Sequence, residues 1–228
     1  MPGPRLAIVT GAGGALGSAV VDALLAAGLN VVGVARGGAA LAGLPEQVHR
    51  ETADVTDREA AGALLDRVAQ RLGAPDVLVN TVGGFAPGDA LGTTPDALAA
   101  MLGVNLNAAW WLSQAAARHM QPRGRGALVH VAARNGIEPV PGAAAYGVSK
   151  AALIQLVRVL DAELGPHGIR VNAVVPRLID TPANRVALPP GALARAVSPA
   201  AIAKVIAFLA GDDAAPVSGA VLPVYGGG

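Results

Sequence analysis

The stretch LAIVTGAGGALGSAVVDALLAAG, residues 6–28, decides the fold of this chain. Its first five residues, Leu6–Thr10, predict a buried strand, and a glycine-rich turn leads from there into a helix predicted over Ala15–Ala27. Such a turn lets the backbone approach a pyrophosphate, which then lies against the N–H groups of the helix end. The same glycines also suit a tight turn in any α/β protein. A P-loop is disfavoured because no Gly-Lys-Ser/Thr follows them.

Short apolar runs alternate with longer alanine- and leucine-rich stretches along the rest of the chain. Further strands are predicted over Asn30–Ala35, Asp76–Asn80, Ala127–Ala132, Arg170–Val175 and Val221–Val224. Further helices are predicted over Arg58–Leu72, Val104–Met120, Ala144–Leu164 and Pro199–Leu209. This alternation predicts an α/β fold with a Rossmann-type, doubly wound parallel sheet, flanked by helices on both faces, in one domain spanning 1–228. The proline-rich stretch 177–198 is too long for an ordinary connection and is predicted to form a lid.

Composition excludes several classes of function. The net charge is +1 without a basic run, so neither nucleic acid nor an anionic membrane is expected as a partner. Asp22 and Asn30 interrupt the apolar stretch Ile8–Ala35 before it could span a membrane. The chain has no cysteine, and its four histidines are scattered, so neither thiol chemistry nor a metal site is expected. With no signal peptide in its first residues, we expect a cytoplasmic protein that acts on a small molecule.

The ends of later strands indicate which dinucleotide the glycine turn would bind. Asp54-Val55 follows a probable strand end, and Asn80-Thr81-Val82-Gly83-Gly84 closes another strand, so both would lie at the ligand edge of the sheet. NAD sites place a carboxylate at the end of the second strand to bind the adenosine ribose. Here that end has Arg36 and no acid. Arg36 suits a 2′-phosphate, although it could also be an ordinary surface arginine, and NADP(H) is therefore favoured over NAD(H).

A tyrosine and a lysine form the predicted catalytic pair. The chain has only two tyrosines and two lysines, and Tyr146 and Lys150 are four residues apart on one face of a predicted helix. An ammonium beside a phenol favours the phenolate, so we expect Lys150 to lower the pKa of Tyr146. A phenol tuned in this way can pass a proton to an atom that receives hydride. The alternative is that Tyr146 and Lys150 are an ordinary pair on the surface of a helix and have no catalytic role.

Together these motifs make the chain resemble the short-chain dehydrogenase/reductase family over essentially its whole length. The matching pieces are TGAGGALG, Asp54-Val55, NTVGG, Val104-Asn105-Leu106, YGVSK and Val171–Pro176. The resemblance implies that Tyr146 is the proton donor, that Lys150 binds the nicotinamide ribose and that Asn105 holds a relay water. It implies a homodimer or homotetramer. The cofactor residues that the motifs and the resemblance indicate are Thr10, Gly11, Gly13, Ala15, Leu16, Gly17, Arg36, Asp54, Val55, Asn80, Val82, Gly83, Tyr146, Lys150, Pro176, Ile179 and Thr181.

The chain departs from the family at the position that polarises a substrate carbonyl. Ala133 stands where the family usually has a serine, and Ala132 beside it offers no hydroxyl. The chain is similar at several positions to quinonoid dihydropteridine reductases, which also lack the serine. These positions are Ala133, the doublet Gly83-Gly84 and the stretch Ile179–Pro189. The resemblance to them implies a reductase of an activated C=N or quinonoid substrate, which needs no such hydroxyl. That branch usually has an acidic, NADH-type end on its second strand, so the preference for NADPH is predicted from Arg36 and not from this resemblance.

Two other functions stay open. One is a carbonyl or 3-oxoacyl reductase in which Asn135 or a water replaces the serine. The other is a protein that binds NADP(H) without turnover, which the intact set of Tyr146, Lys150 and Asn105 disfavours. The residues predicted to lie near a substrate are Ala133, Arg134, Asn135, Phe85, Asn184 and Arg185.

Overall fold

The computed structural model describes residues 4–226, which form one seven-stranded sheet with helices on both faces. The strands are β1 (Leu6–Thr10), β2 (Asn30–Ala35), β3 (His49–Thr52), β4 (Val77–Asn80), β5 (Gly126–Val131), β6 (Ile169–Pro176) and β7 (Val221–Val224). The helices are α1 (Ala15–Ala26), α2 (Arg58–Leu72), α3 (Pro95–Leu102), α4 (Ala108–Met120), α5 (Ala144–Leu164), α6 (Pro182–Ala187), α7 (Pro190–Leu193) and α8 (Pro199–Ala210).

The strand order is β3-β2-β1-β4-β5-β6-β7, and every neighbouring pair is parallel. This arrangement confirms the predicted Rossmann-type, doubly wound fold. Strands β1, β2 and β3 are added in one direction across the sheet, and β4 to β7 are added in the opposite direction, starting on the other side of β1. The topological switch point therefore lies between β1 and β4. In open parallel sheets the ligand lies outside the carboxyl ends of the strands at such a reversal.

Two hydrophobic cores hold the helices against the sheet. One face of the sheet packs on α2, α4 and α5, with Leu64, Leu112 and Val157 fully buried among them. The other face packs on α1 and α8, where Leu24 and Ile202 are fully buried. Because both faces are covered, the central strands are continuous apolar runs, which is why the sequence pattern identified them.

The structure corrects the predicted elements at three places. The helix predicted over Val104–Met120 begins with a π-helical turn, Gly103–Asn107, and α3, directly before it, was not predicted. Strand β3 was indicated only by the probable strand end before Asp54, and its bounds were not predicted because its side chains are mostly exposed and polar. The stretch 177–198, expected to be irregular, contains α6 and α7.

Among the helices of residues 4–226, none is both long enough and apolar enough to cross a membrane.

Candidate active site

A cavity of about 500 Å³ lies at the carboxyl ends of β1, β2 and β4. Eight of the predicted cofactor residues line it: Thr10, Gly11, Gly13, Arg36, Asp54, Val55, Val82 and Gly83. Further lining residues that the sequence reasoning did not assign to the cofactor include Gly14, Val34, Gly37, Thr56, Thr81 and Val104. Each of these is one to three residues from a predicted site residue or at a strand end, so proximity to the motifs was the signal that could have found them.

The glycine turn is built for close backbone approach. Gly11 has φ +73°, a conformation that favours glycine, and a Cβ on Gly17 would collide with the carbonyl oxygen of Gly11. Ala15, in the same turn, is the exposed first residue of α1 and needs no positive φ. Leu16, the second residue of α1, is buried in the core and does not line the cavity. The backbone cradle that a pyrophosphate requires is therefore present, and Ala15 is compatible with it.

Two buried polar side chains join the ends of β1 and β4 under this turn. The Thr10 hydroxyl donates to Asn80 Oδ1 (2.7 Å), which also accepts the backbone N–H of Val82 (3.1 Å). The Thr81 hydroxyl donates to the carbonyl oxygen of Thr10 (2.7 Å). Thr10 and Asn80 are fully buried or nearly so, and these bonds hold the floor of the cavity in place.

Charged groups stand at the far end of the cavity. Asp54 Oδ1 accepts the hydroxyl (2.6 Å) and the backbone N–H (3.0 Å) of Thr56, and these bonds, with a smaller contribution from Arg36, lower the pKa of Asp54. Arg36 is exposed at the end of β2, next to Gly37. Among the residues of 4–226 that line the cavity, Asp54 is the only acidic one and Arg36 the only basic one.

Tyr146 and Lys150 lie on α5, and the predicted effect of one on the other was wrong. Burial raises the pKa of Tyr146 to about 12 and lowers the pKa of Lys150 to about 8. Lys150 Nζ donates to the carbonyl oxygen of Val131 (2.9 Å) and stands 6.0 Å from the centroid of the Tyr146 ring. Desolvation therefore outweighs the attraction of the ammonium in this structure, and Tyr146 is a neutral phenol at pH 7.

Asn105 lies in the π-helical turn and is fully buried. Its Nδ2 donates to the carbonyl oxygen of Gly84 and to Ser149 Oγ (3.0 Å each), and its Oδ1 accepts the N–H of Gly84 (3.0 Å). Ser149 in turn donates to the carbonyl oxygen of Tyr146 (2.7 Å). A Cβ on Gly83 would lie 2.9 Å from Asn105 Oδ1 and 3.1 Å from Lys150 Nζ. The structure thus brings Asn105 and Lys150 together at the edge of the cavity, and Ser149, which sequence reasoning missed, joins Asn105 to the helix of Tyr146.

The substrate side of the site is poor in hydroxyl groups. Ala132 and Ala133 are buried at the end of β5. The segment after them approaches α5 closely, because a Cβ on Gly136 would lie 2.7 Å from the carbonyl carbon of Lys150. Arg134 has a buried Nε that has no hydrogen-bond partner among residues 4–226, and its NH1 is 3.5 Å from Glu138. The half-buried Asn135 makes no side-chain hydrogen bond within the same part of the chain.

Phe85 lies beside the predicted proton donor. The centroids of its ring and the Tyr146 ring are 5.0 Å apart, with an interplanar angle of 79°. This edge-to-face geometry is typical of packed aromatic pairs. Phe85 is nevertheless 62% exposed.

Several side chains of the segment 177–198, which was predicted to form a lid, form hydrogen bonds and an ion pair within that segment. Asn184 Nδ2 donates to the carbonyl oxygen of Ile179 (2.8 Å), and Thr181 caps α6 by accepting the N–H of Asn184. Arg185 forms a two-pronged ion pair with Asp180 (2.6 and 2.7 Å) on the surface. Pro176 is buried at the end of β6. The side chains of Asn184 and Arg185 therefore stabilise the segment 177–198 by contacts within it.

Within residues 4–226, no group of three or more acidic or histidine side chains is arranged to hold a metal ion.

Comparisons with known proteins agree with this geometry. The family described as short chain dehydrogenase matches residues 5–189. Galactitol 2-dehydrogenase of Rhizobium johnstonii is 36% identical over 97% of this chain and 93% of its own length. The 3-oxoacyl-(acyl-carrier-protein) reductase MabA of Mycobacterium tuberculosis is 32% identical over 98% of this chain and 92% of its own length. A crystal structure of an oxidoreductase of the short chain dehydrogenase/reductase family from Burkholderia thailandensis is 33% identical, with a TM-score of 0.88, and covers 98% of this chain and 92% of that one. None of these names mentions a pteridine, so they do not support the predicted similarity to dihydropteridine reductases.

Proposed function

The chain belongs to the short-chain dehydrogenase family, and we propose that it is an NADP(H)-dependent reductase of an activated C=N or quinonoid substrate. Its membership makes it an oxidoreductase. The cofactor preference and the substrate class are the proposal. The observation that carries it is Ala133, a buried methyl group where a carbonyl reductase of this family needs a hydroxyl.

The residues of the cavity suit a nicotinamide dinucleotide. The turn at Gly11 and Gly13 would hold its pyrophosphate, Asp54 and Val55 its adenine, and Arg36 the 2′-phosphate of NADP(H). When bound, the reduced nicotinamide supplies a hydride. Lys150 Nζ, next to Gly83, would bind the nicotinamide ribose at the other end of the cavity.

Tyr146 would supply the proton. Its phenol is protonated at pH 7, and burial raises its pKa further, to about 12, so its hydroxyl carries the proton that would be donated. In the reduction the carbon of the C=N bond gains a hydride, the nitrogen gains the Tyr146 proton, and the dinucleotide is oxidised. The ammonium of Lys150 then stabilises the phenolate that is left.

The missing hydroxyl decides between substrate classes. Removing one oxyanion donor from an active site typically costs about 10²–10³ in rate on a carbonyl. An imine or quinonoid ring develops no oxyanion at that position, because its nitrogen takes the Tyr146 proton as its carbon takes the hydride. Such a substrate therefore avoids most of this loss in rate, and Ala133 provides an apolar surface against which it can pack.

A carbonyl reductase is the second candidate. It is favoured by the relatives, since one of them is named as a 3-oxoacyl reductase, and by Asn135, whose side chain has no hydrogen-bond partner within residues 4–226. An amide N–H of Asn135 would then replace the serine hydroxyl as the donor to the carbonyl oxygen.

We further propose a cytoplasmic homodimer or homotetramer. Trp110, on α4, is 44% exposed, and tryptophan is enriched at subunit interfaces. Its neighbour Trp111 packs instead on the core and on Arg58, with the guanidinium 5.5 Å from the ring centroid. Light scattering of wild type and of Trp110→Glu tests the assembly, and an unchanged oligomeric mass in the variant would contradict this interface.

The function is tested by following NADPH oxidation with 3,4-dihydroisoquinoline, a quinonoid dihydropterin and ethyl acetoacetate. We expect turnover of the imine or the quinonoid compound, lowered about 10²–10⁴-fold by Tyr146→Phe, which removes only the hydroxyl. Tyr225→Phe, the other tyrosine, is the control. Turnover of the ketoester alone would favour the carbonyl reductase, and tight NADPH binding without any turnover would favour a non-catalytic protein.

A further inference from the structure

An exposed aromatic ring stands next to the reacting hydroxyl. The chain has two phenylalanines, and both are partly exposed: Phe85 by 62% and Phe208, on α8, by 46%. Only Phe85 contacts Tyr146, with its ring edge-to-face at 5.0 Å. Phe85 therefore presents apolar surface directly beside the Tyr146 ring, where a planar apolar group could pack on it.

The loop that carries Phe85 is held on both sides. Before it, Gly84 exchanges two hydrogen bonds with the side chain of the buried Asn105. After it, the N–H of Gly88 donates to Gly142, and the carbonyl oxygen of Gly88 accepts the N–H of Ala144 (2.9 Å each). These bonds fix the backbone on either side of the ring against the turn of α5 that bears Tyr146.

Several other groups on this side of the site are apolar as well. Ala133 offers a methyl group where the family has a hydroxyl, and Ala143 and Ala145 are buried beside Tyr146 on the chain. Besides the Tyr146 hydroxyl and the Asn135 amide, the largest group that would meet a substrate here is therefore the phenyl ring of Phe85. Flat conjugated rings pack on a phenyl ring in stacked or edge-to-face geometry, whereas a small aliphatic chain gains less from it.

We propose that Phe85 is a specificity-determining residue that packs against a planar, conjugated substrate ring and selects it over aliphatic substrates. This inference rests on the proposed function, because it assigns the substrate class of the same site. The contact places the ring so that its C=N nitrogen faces the Tyr146 hydroxyl, and the wall at Ala133 accommodates its edge.

The test compares Phe85→Leu, which keeps an apolar side chain but removes the ring, with wild type and with Phe208→Leu as the matched control. Two imines are offered, the planar 3,4-dihydroisoquinoline and the aliphatic 2-methyl-1-pyrroline. We expect Phe85→Leu to lower the ratio of their kcat/KM values about 3- to 10-fold, mainly through the KM of the planar imine, as loss of one aromatic contact requires. Phe208→Leu should leave the ratio unchanged. An unchanged ratio in Phe85→Leu would overturn the inference.

A binding measurement separates this inference from the proposed function. Isoquinoline is planar and is not turned over by hydride addition under these conditions, so its Kd with the NADP⁺ complex can be measured by calorimetry even if no imine is reduced. We expect Phe85→Leu to weaken isoquinoline binding about 3- to 10-fold. If no imine is turned over but this loss is seen, the reaction class is wrong and the role of Phe85 stands. If the Kd does not change, the role of Phe85 is refuted whatever the reaction.

Discussion

The side chain of Asn105 exchanges two hydrogen bonds with the backbone of Gly84, each 3.0 Å long. This pairing joins the π-helical turn to the loop that follows β4, and a third bond from Asn105 reaches Ser149 on α5. Asn105 therefore joins the π-helical turn to the loop that bears Phe85 and to the helix that bears Tyr146.

We expect Asn105→Ala to lower the free energy of unfolding by about 1–3 kcal/mol, because it leaves half-buried backbone groups of Gly84 without their partners. Asn107→Ala, an exposed asparagine of the same π-helical turn, is the matched control and should cost much less. Urea unfolding of both variants measures the difference. Equal loss in the two variants would show that the bonds to Gly84 contribute nothing.

Arg36 is predicted to determine the preference for NADP(H). Arg36→Ser should raise the KM for NADPH about 10- to 100-fold, since a charge-assisted bond to the 2′-phosphate is lost, and should change the KM for NADH less than about twofold. Arg118→Ser, at an exposed arginine on α4, controls for net charge. Steady-state kinetics with both cofactors give the answer, and an equal effect on NADPH and NADH would refute the assignment.

The pH dependence of the reduction should follow Lys150. Burial lowers the pKa of Lys150 to about 8, so its ammonium is present below pH 8 and is lost as the pH rises through that value. We expect kcat/KM for reduction to fall above about pH 8, because a neutral amine no longer stabilises the phenolate of Tyr146. In Lys150→Arg the guanidinium keeps its charge, so whatever activity remains should not fall in that range. A fall at the same pH in both proteins would assign it to another group.

Stability in acid should depend on His130. This fully buried imidazole lies 3.1 Å from Ser113 Oγ, which donates to the carbonyl oxygen of Ala109, so His130 Nε2 is the donor in the pair. Its Nδ1 has no partner within residues 4–226. Burial, with a smaller contribution from Lys150, lowers the pKa of His130 to about 4.

Between pH 6.5 and 4 the unfolded chain therefore binds a proton at His130 that the folded chain does not. The free energy of unfolding should fall across this window by about 3 kcal/mol on account of this one group. His130→Gln should remove that part of the pH dependence, whatever its effect at pH 7, while the exposed His167→Gln should not. Denaturant unfolding at pH 7, 5.5 and 4 gives the free energy of unfolding of wild type and of both variants as a function of pH. The same pH dependence in all three proteins would contradict the assignment to His130.

The sequence predicted the sheet and the residues of the cavity because these follow local patterns. The buried strands are apolar runs, the glycine turn follows β1 directly, and Tyr146 and Lys150 share one face of one helix. The bounds of strand β3 could not be predicted because an edge strand with mostly exposed, polar side chains lacks such a run. Helix α3 was missed although Thr94 and Pro95 form its N-terminal cap, which is a local signal that could have been used.

Contacts between distant segments could not be predicted from these patterns. The pairing of Asn105 with Gly84 and the packing of Phe85 on Tyr146 depend on how α5 and the loop after β4 meet in space. The sign of the pKa shift of Tyr146 was wrong for the same reason. Spacing on a helix predicts that an ammonium is near a phenol, but burial, which only the fold determines, is the larger effect here.

We propose that the methyl group of Ala133 suits an activated C=N or quinonoid substrate, and Ala133→Ser tests this most directly. The kcat/KM values of wild type and variant are compared for 3,4-dihydroisoquinoline and for ethyl acetoacetate. We predict that the added hydroxyl raises the value for the ketoester by about 10-fold or more and leaves the value for the imine unchanged or lower. If wild type already reduces the ketoester well and the serine adds nothing, another group such as Asn135 replaces the hydroxyl, and the substrate assignment is wrong.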